Sequence, residues 1–321
     1  MSNPDKPIGI FYEHPDWYRP LFAELTRRDV PFVAIDARLH TYDIAEETSP
    51  YGLVFNRMSP SSYLRTYGGH GIFYTMAYLA HLERMGVPVI NGRSAYEHEL
   101  SKAMQMTLLQ SLGLGYPRSR VISHPRQAHR AAEGFRWPIV VKANVGGSGA
   151  GIVCYETPEE LEGALEAGTV DLGIDSTALV QEFVPKRDGH ITRVETLGGK
   201  YLYAINVYAP SEQFNLCPAD ACQAADGSEL EINSACPADA RKTGMRVESV
   251  TPPTHVIEAV ERIVQKAGID VGGVEYMVDD RDGTQVYYDI NALSNFVADA
   301  VNVVGFDPHA RLVDFLIEKR G

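Results

Sequence analysis

Two acidic residues near the C-terminal end of the chain, Glu275 and Asp289, have the spacing of facing partners in a β-hairpin. Apolar and polar residues alternate on both sides of a turn within 273–291. A turn centred on Asp282 pairs Glu275 directly with Asp289, with Cβ atoms about 4.5–5.5 Å apart. Asn291 then lies on the same face. Two carboxylates and an amide oxygen are hard donors, which suit Mg²⁺.

The same alternation assigns the other face of this hairpin to the core. Period two places an apolar set opposite the carboxylates: Val274, Tyr276, Val278, Val286, Tyr288 and Ile290. The alternative interpretation of the acids is a solvated face that binds nothing. Opposed like charges destabilise a ladder unless something neutralises them. At an effective dielectric near 20, a contact between a carboxylate and a phosphate group at about 4 Å costs about 4 kcal/mol of gross repulsion. The phosphates of a nucleotide could therefore approach these two acids only with a metal ion between them.

A glycine-rich stretch earlier in the chain follows a predicted buried strand that ends at Lys142. Glycine adopts positive φ at little cost, so the loop Gly146, Gly147, Ser148 and Gly149 can direct successive backbone N–H groups at one anion. With a lysine at its base, the natural ligand is a phosphate chain. The alternative is an ordinary hairpin turn, because a glycine loop alone is a weak motif and the P-loop pattern does not follow.

Composition narrows the class of protein. The 321 residues are 45% hydrophobic, enough for a buried core in two or three modules. The 29 basic and 42 acidic residues give a net charge of −13, which argues against nucleic acid and anionic membranes as partners. No apolar run approaches the span of about 20 residues that crosses a bilayer. Without a leader peptide or paired cysteine spacing, we expect a cytoplasmic protein.

Strands and helices alternate in the first part of the chain. The predicted elements follow in turn: strands 7–12, 31–36, 52–56 and 88–90, with helices 17–27 and 72–85 between them. This order indicates a parallel sheet covered on both faces. Ligands of such sheets bind at the carboxyl ends of strands, where His14, Asn56, Arg57 and Asn91 stand. The alternative for each is an ordinary loop or capping residue.

A Ser-x-x-Glu pattern that starts at Ser94 predicts a capping box and a helix that runs to Leu112. The apolar stripe of this helix extends from Tyr96 to Leu108. Lys102 lies off the stripe, so spacing alone predicts a solvated lysine.

The rest of the chain is predicted to be rich in strands. After strands around 119–122, 137–142, 152–154 and 178–184, Gly198-Gly199 joins two long strands, 191–197 and 201–209. The segment 210–253 shows no clear pattern, which favours a mobile loop that covers a site. Its cysteines fit no zinc or cluster spacing, so a metal site there is a minor alternative: Cys217, Cys222 and Cys236. A helix is predicted at 254–267.

The lysines, the glycine loop and the carboxylate hairpin, in this order, resemble the ATP-grasp proteins. The likeness is greatest to the carboxylate–amine ligases that resemble the ribosomal-protein glutamate ligases, and it covers residues 91 to 321. The resemblance implies an α/β fold with α+β lobes. We expect an N-terminal parallel-sheet domain (1–92), a linking helix with a small lid (93–184) and a larger antiparallel-sheet catalytic lobe (185–321).

The resemblance also implies roles for particular residues. Lys102 and Lys142 match the two lysines that bind the nucleotide, and Glu275, Asp289 and Asn291 match the Mg²⁺ set, with aspartate standing where glutamate is commoner at 289. The remaining ATP contacts expected from the resemblance are the glycine loop, Asp188 and the segment that meets the adenine edge, Gln181, Glu182, Phe183 and Val184.

Arg193 matches a catalytic arginine that contacts the transferred phosphate. Ile-Thr-Arg stands here in place of the Asp-Ile-Arg form, a departure that concerns the acceptor substrate. The residues that could line an acceptor pocket are Arg57, Asn206, Tyr208, Ser294 and Asn295, with structural roles as the alternative for each. His14 and His190 are candidates for a general base by residue type only.

The resemblance implies ATP-dependent amide or peptide bond formation through an acyl phosphate, with release of ADP and phosphate. The expected partners are a small carboxylate and an amine, either amino acids or a peptide. The alternatives are a regulatory module that binds ATP without turnover and a phosphotransferase that needs no amine. The sequence does not fix the oligomeric state, and a homodimer is one assembly that it allows.

Overall fold

The computed structural model describes residues 5–64, 71–146, 151–208 and 246–321. Three sheets divide this part of the chain, and each lies within one of the three expected units. The α/β fold class, with one parallel and two antiparallel sheets, is confirmed. The unit boundaries themselves stay a prediction.

The front sheet is parallel, as its alternating elements predict. Its strand order is β2-β1-β3-β4, and its elements are β1 (Ile8–Tyr12), α1 (Arg19–Arg27), β2 (Phe32–Asp36), β3 (Leu53–Arg57), α2 (Gly71–Arg84) and β4 (Val89–Ile90). Arg57 is the last residue of β3, so its side chain stands at the carboxyl edge where such sheets bind ligands.

Two helices, α3 (Arg93–Leu100) and α4 (Lys102–Ser111), replace the single predicted helix. The predicted capping box is wrong, because Ser94 lies inside α3 and its hydroxyl donates to the carbonyl of Ala267. Ser101, with extended backbone, breaks the helix and caps α4 by accepting from the amide of Met104. The break starts a new helical phase at Lys102.

The middle sheet is antiparallel, with the order β5-β8-β6-β7. Its elements are β5 (Ser119–Ile122), α5 (Ala128–Ala132), β6 (Ile139–Ala143), β7 (Ile152–Tyr155), α6 (Pro158–Glu166) and β8 (Ala178–Glu182). Both helices pack in one apolar cluster with the sheet, through Ala128, Leu161 and Val180. The glycine-rich stretch therefore connects two adjacent antiparallel strands, β6 and β7.

The largest sheet is antiparallel in the order β11-β10-β9-β12-β13. Its elements and the helices after them are β9 (His190–Leu197), β10 (Lys200–Tyr208), β11 (Arg246–Val250), α7 (Thr254–Ala267), β12 (Val271–Val278), β13 (Gln285–Asn291), α8 (Ala300–Val304) and α9 (Pro308–Arg320). Strand β11 corrects the expectation of a loop over 210–253 at its C-terminal end. Residues 209–245, which include Cys217, Cys222 and Cys236, lie outside the described residues.

The two faces of this sheet pack against different neighbours. One face covers α7 through Val194, Val274 and Ile290. The other shares a cluster with the front sheet, in which Phe55 of β3 lies with Ile191 of β9. Burial of each large aliphatic side chain contributes about 1.5–3 kcal/mol, so this shared cluster holds the front sheet against the largest sheet.

Candidate active site

The two acids of the hairpin face each other as predicted. Strands β12 and β13 pair Glu275 with Asp289, and Gly273 with Asn291. The Asn291 side-chain amide donates to Asp289 Oδ2 at 3.2 Å. These three side chains therefore form one group of oxygen donors on one part of the sheet.

A bulge beside this pair corrects the predicted core face of the hairpin. After Glu275 the register shifts, so that Tyr276 pairs with Tyr287 instead of Tyr288. Tyr287 is consequently buried in the cluster under α7. Tyr288 turns to the carboxylate face, where its hydroxyl donates to Glu275 Oε2 at 2.6 Å. A bulge of this kind re-aims a side chain and is common beside active sites.

Lys102 contacts the metal-ligand candidate Asp289, with 2.7 Å between Nζ and Oδ1. The prediction of a solvated lysine is wrong, since its side chain is only 14% exposed. The extended backbone at Ser101 ends α3 and starts α4 in a new orientation, so that the Lys102 side chain points inward. Burial favours the neutral lysine, but the Asp289 carboxylate outweighs this and raises the pKa of Lys102. In return, the ammonium overcomes the effect of burial and lowers the pKa of Asp289.

Lys142 is the second buried lysine, 5% exposed on β6. Burial, aided by the charge of Lys102, lowers its pKa to about 7, although Asp289 and Glu275 oppose the shift. The link between the two elements that sequence reasoning singled out runs through Lys102. Its ammonium contacts Asp289 on the hairpin, and its backbone amide donates to the carbonyl of Asn144 at the base of the glycine loop.

Asn144 joins the base of the glycine loop to the helix that carries Lys102. Its Oδ1 accepts from the hydroxyl of Ser101 at 3.0 Å and from the amide of Ala103 at 2.9 Å. Its Nδ2 donates to Asp175 at 2.7 Å. Sequence reasoning missed this residue, because its partners Ser101 and Ala103 lie in a distant segment and no local pattern marks it.

Arg193 is buried between two carboxylates. Its Nε donates to Glu195 Oε1 at 2.5 Å, and its Nη1 donates to Glu275 Oε1 at 2.9 Å. Burial raises the pKa of Glu275 and Asp289 adds to the effect, while Arg193 opposes it. A Cβ at Gly273 would lie 2.9 Å from Glu195 Oε1 and 3.0 Å from Arg193 Nε. A side chain at position 273 would therefore displace the Arg193–Glu195 ion pair.

Three buried polar side chains hold the end of β13, and sequence reasoning assigned this task to none of them. Gln105 donates to the carbonyl of Ile290 and accepts from its amide. Glu99 accepts from the amides of Ala292 and Leu293. Asn91 donates to the carbonyl of Ala292 at 2.6 Å. These bonds fix the backbone on both sides of Asn291, which holds its side chain beside Asp289.

Among the candidates for an acceptor pocket, the structure brings together three. Arg57 Nη2 donates to the carbonyl of Ser294 at 2.5 Å and to Asn295 Oδ1 at 2.9 Å. Asn206 does not join them, because its Oδ1 accepts from Thr192 on the α7 side of the sheet. Tyr208 has the same parity as Asn206 and packs against His190 and Arg246. These two residues face away from Arg193.

The segment that resembles an adenine contact lies at the end of β8. The Gln181 side chain donates to Ser119, and the Glu182 carboxylate accepts from Arg136. These side chains are thus engaged within the middle sheet, and the backbone amides of Glu182 and Phe183 donate to the carbonyls of Arg118 and Pro138. Asp188 is exposed, with a positive φ of 57°. The roles of this segment, including Phe183 and buried Val184, stay predictions.

The described part of the glycine loop ends at Gly146, which is buried. Gly147, Ser148 and Gly149 lie outside the described residues. The hydroxyl of Tyr63 donates to the carbonyl of Val145 at 3.0 Å, so the front unit contacts the base of this loop. His14 stacks on Trp17 with 4.5 Å between ring centroids, and its role as a base stays a prediction, as does that of His190.

The donor set of Glu275, Asp289 and Asn291 fits a magnesium ion, since it offers hard oxygen ligands on fixed strands and leaves positions for water and phosphate. Within the ranges that the structure describes, no group made of three or more His, Cys, Asp or Glu side chains is placed to hold a metal ion.

None of the described helices is long and apolar enough to cross a membrane.

The chain is similar to known proteins in sequence and in fold. Residues 100–216 match the family model described as the RimK-like ATP-grasp domain. A probable alpha-L-glutamate ligase of Vibrio vulnificus (strain YJ016) is 29% identical over 148 residues, which are 46% of this chain and 48% of the relative. The chain thus spans about half the length of such curated relatives. A probable alpha-L-glutamate ligase of Shewanella loihica is 26% identical over 252 residues, 74% of this chain and 83% of the relative.

Solved structures show the same fold. The ATP-grasp ligase PsnB, complexed with a phosphomimetic variant of its minimal precursor, Mg and ADP, matches with a TM-score of 0.68 and 18% sequence identity. The match covers 99% of this chain and 100% of that one. The expected ATP-grasp fold is therefore confirmed.

Proposed function

Because this chain has the ATP-grasp fold and residues 100–216 match the RimK-like domain, we propose that it is an ATP- and Mg²⁺-dependent carboxylate–amine ligase. The substrates are a small carboxylate and an amine, supplied by amino acids or a peptide. The names of the glutamate-ligase relatives and the Mg and ADP bound to PsnB support this proposal.

One observation carries the proposal. Lys102 contacts Asp289 of the carboxylate pair at 2.7 Å, and its backbone amide donates to the carbonyl of Asn144, two residues after Lys142. Two lysines suit the negative phosphates of a nucleotide, and the acids suit the metal that accompanies it. A structural role alone does not explain the arrangement, since a buried ion pair adds little net stability.

The proposed reaction has two steps. An oxygen of the substrate carboxylate attacks the γ-phosphorus of ATP, the bond to the β-phosphate oxygen breaks, and ADP leaves. The neutral amine then attacks the carbonyl carbon of the acyl phosphate, inorganic phosphate leaves, and the nitrogen releases a proton to form the amide. Lys142 and Lys102 orient the phosphates, and Arg193 stabilises negative charge on the transferred group.

Glu275, Asp289 and Asn291 would hold Mg²⁺, which when bound offsets the charge of the phosphate chain. Arg193 and Tyr288 fix the Glu275 carboxylate, so its orientation is set before any ligand arrives. The acyl phosphate must be shielded from water, because it would otherwise hydrolyse.

The test is a screen of amino-acid pairs for ADP release, followed by the mass of any condensed product. The proposal expects ADP and one joined product from the same pair. Hydroxylamine should trap the acyl phosphate when the amine is withheld. ADP without any joined product would favour phosphotransfer, and ATP binding without turnover by any pair would favour a regulatory module.

A further inference from the structure

Arg57 is a buried cation for which the described residues supply no carboxylate contact. The residue is 3% exposed, and its Nη2 is satisfied by the neutral acceptors Ser294 and Asn295. Of the described residues, none accepts from Nε or Nη1. An unpaired buried donor costs about 1–3 kcal/mol, and more on a charged group. The unsatisfied donors therefore point to an anionic ligand.

Arg193, a second buried arginine, differs from Arg57 in its partners. Both Arg193 and Arg57 are buried, but Glu195 and Glu275 neutralise Arg193. The neighbours of Arg57 are aromatic instead: its Cζ lies 5.0 Å from the ring centroid of Tyr18 and 5.1 Å from that of Phe55. These rings flank the guanidinium and supply no full negative charge. Burial lowers the pKa of Arg57, and the Glu99 and Glu195 carboxylates oppose this effect, but neither forms a contact with the guanidinium.

An unsatisfied acceptor lies on the largest sheet, which packs against the front sheet that carries Arg57. Glu195 is 1% exposed; its Oε1 binds Arg193, while its Oε2 meets no donor among the described residues. Glu195 and Ile191 share one face of β9, and Arg57 and Phe55 share one face of β3. Phe55 and Ile191 belong to a single cluster, so Arg57 and Glu195 face the same layer.

Resting on the proposed function, we propose that Arg57 and Glu195 bind the amine-supplying substrate as an α-amino acid. Arg57 binds the carboxylate that does not react, and Glu195 Oε2 accepts a hydrogen bond from the amino group. A zwitterion satisfies both buried groups at once, whereas a simple amine leaves Arg57 unpaired. Because Glu195 also holds Arg193, an amino group at Oε2 lies next to the arginine proposed to contact the transferred phosphate.

The experiment compares an amino acid with its own α-carboxamide. The amine-supplying amino acid is taken from the pair with the fastest ADP release, and kcat/KM is measured for the acid and for the amide. Wild-type protein should prefer the acid by at least about tenfold, since the amide leaves a buried cation unpaired. Arg57→Gln should lose about tenfold on the acid and little on the amide, which removes the preference.

Arg19→Gln is the matched control, because Arg19 belongs to the same unit, is 73% exposed and pairs with Asp16. It should keep the preference for the acid. Equal kcat/KM values of wild-type protein for the acid and the amide overturn the inference. This comparison uses wild-type protein alone, so it does not depend on whether a variant folds. Equal losses on both substrates in Arg57→Gln also overturn it. Absence of ADP release from wild-type protein with every pair overturns the proposed function itself, so the two failures are distinguished.

Discussion

Each acid of the proposed metal set contacts a basic side chain. Asp289 pairs with Lys102, and Glu275 pairs with Arg193. Removing one partner of such a buried pair leaves an uncompensated charge and costs about 3–5 kcal/mol. Substitutions at this site must therefore be assessed for folding as well as for activity.

ATP binding at pH 8 should take up a proton through Lys142. Its pKa of about 7 leaves most of the side chain neutral at that pH. A phosphate chain nearby favours the ammonium form and raises the pKa, which draws a proton from solution. Calorimetry in two buffers with different ionisation enthalpies should show uptake that decreases towards pH 6, where Lys142 is already charged. Lys142→Met should lack this component, and equal proton linkage in both proteins would contradict the prediction.

Glu275→Gln should lower the rate of ADP release by at least about 100-fold, because the amide loses the negative charge that holds the metal. Arg193 keeps its contact with Glu195, so the fold should persist. The measurement is ADP release at saturating ATP, with circular dichroism as the test of folding. Glu248→Gln is the control, since Glu248 is exposed and pairs with Arg246 on β11. Unchanged turnover would remove Glu275 from the mechanism.

At the scale of elements, the contacts between strands β9 and β12 set the position of Arg193, the arginine proposed to contact the transferred phosphate. Gly273 lies opposite Glu195 in the ladder, and Glu275 lies opposite Arg193. The ion pairs therefore follow from strand register, and the missing side chain at 273 leaves room for them.

Gly273→Ala should displace the Arg193–Glu195 pair, because the new methyl group would meet both side chains at about 3 Å. We expect a loss of about 1–3 kcal/mol in the free energy of unfolding and at least a tenfold lower kcat, on the order of 1.4 kcal/mol in the barrier. Urea unfolding and ADP release measure the two effects.

The control is Gly163→Ala in α6, where a Cβ would meet nothing within 4 Å. Because alanine favours helix, this variant should gain about 0.5–1 kcal/mol and keep its activity. Wild-type activity in Gly273→Ala would show that the arginine pair tolerates displacement.

At the scale of the whole molecule, hydrogen bonds of Asn91 join the front sheet to the largest sheet; this contact region is called the seam. Asn91, after β4, has its Nδ2 donating to the carbonyls of Val271 and Ala292. Its Oδ1 accepts from the amides of Asp270 and Val271. One side chain thus satisfies four backbone groups on the far side of the seam.

Asn91→Ala should destabilise the chain by at least about 3 kcal/mol, since buried backbone groups lose their partners at about 1–3 kcal/mol each. Urea unfolding, followed by tryptophan fluorescence and by circular dichroism, measures the change. Asn302→Ala removes an exposed bond to Asp299 and should change stability by less than about 0.5 kcal/mol. A similar small effect at Asn91 would show that apolar packing alone holds the seam.

Local pattern was sufficient for much of the fold and for the core of the site. The helix predicted at 254–267 has those bounds, and the front sheet is parallel as its alternating elements require. The pairing of Glu275 with Asp289 also followed from the sequence, because the turn and the period of two fix a hairpin register. These features depend on residues that are close together in the chain.

Other features were decided only by tertiary structure. Lys102 turns inward because Ser101 breaks the helix and Asn144, from a distant segment, anchors its start. A bulge moves Tyr288 to the carboxylate face of the hairpin, where its hydroxyl donates a hydrogen bond to Glu275. The unsatisfied donors of Arg57 likewise depend on what packs around them. Sequence determines local geometry through propensity and period, whereas contacts between remote segments are chosen by packing, which no local pattern records.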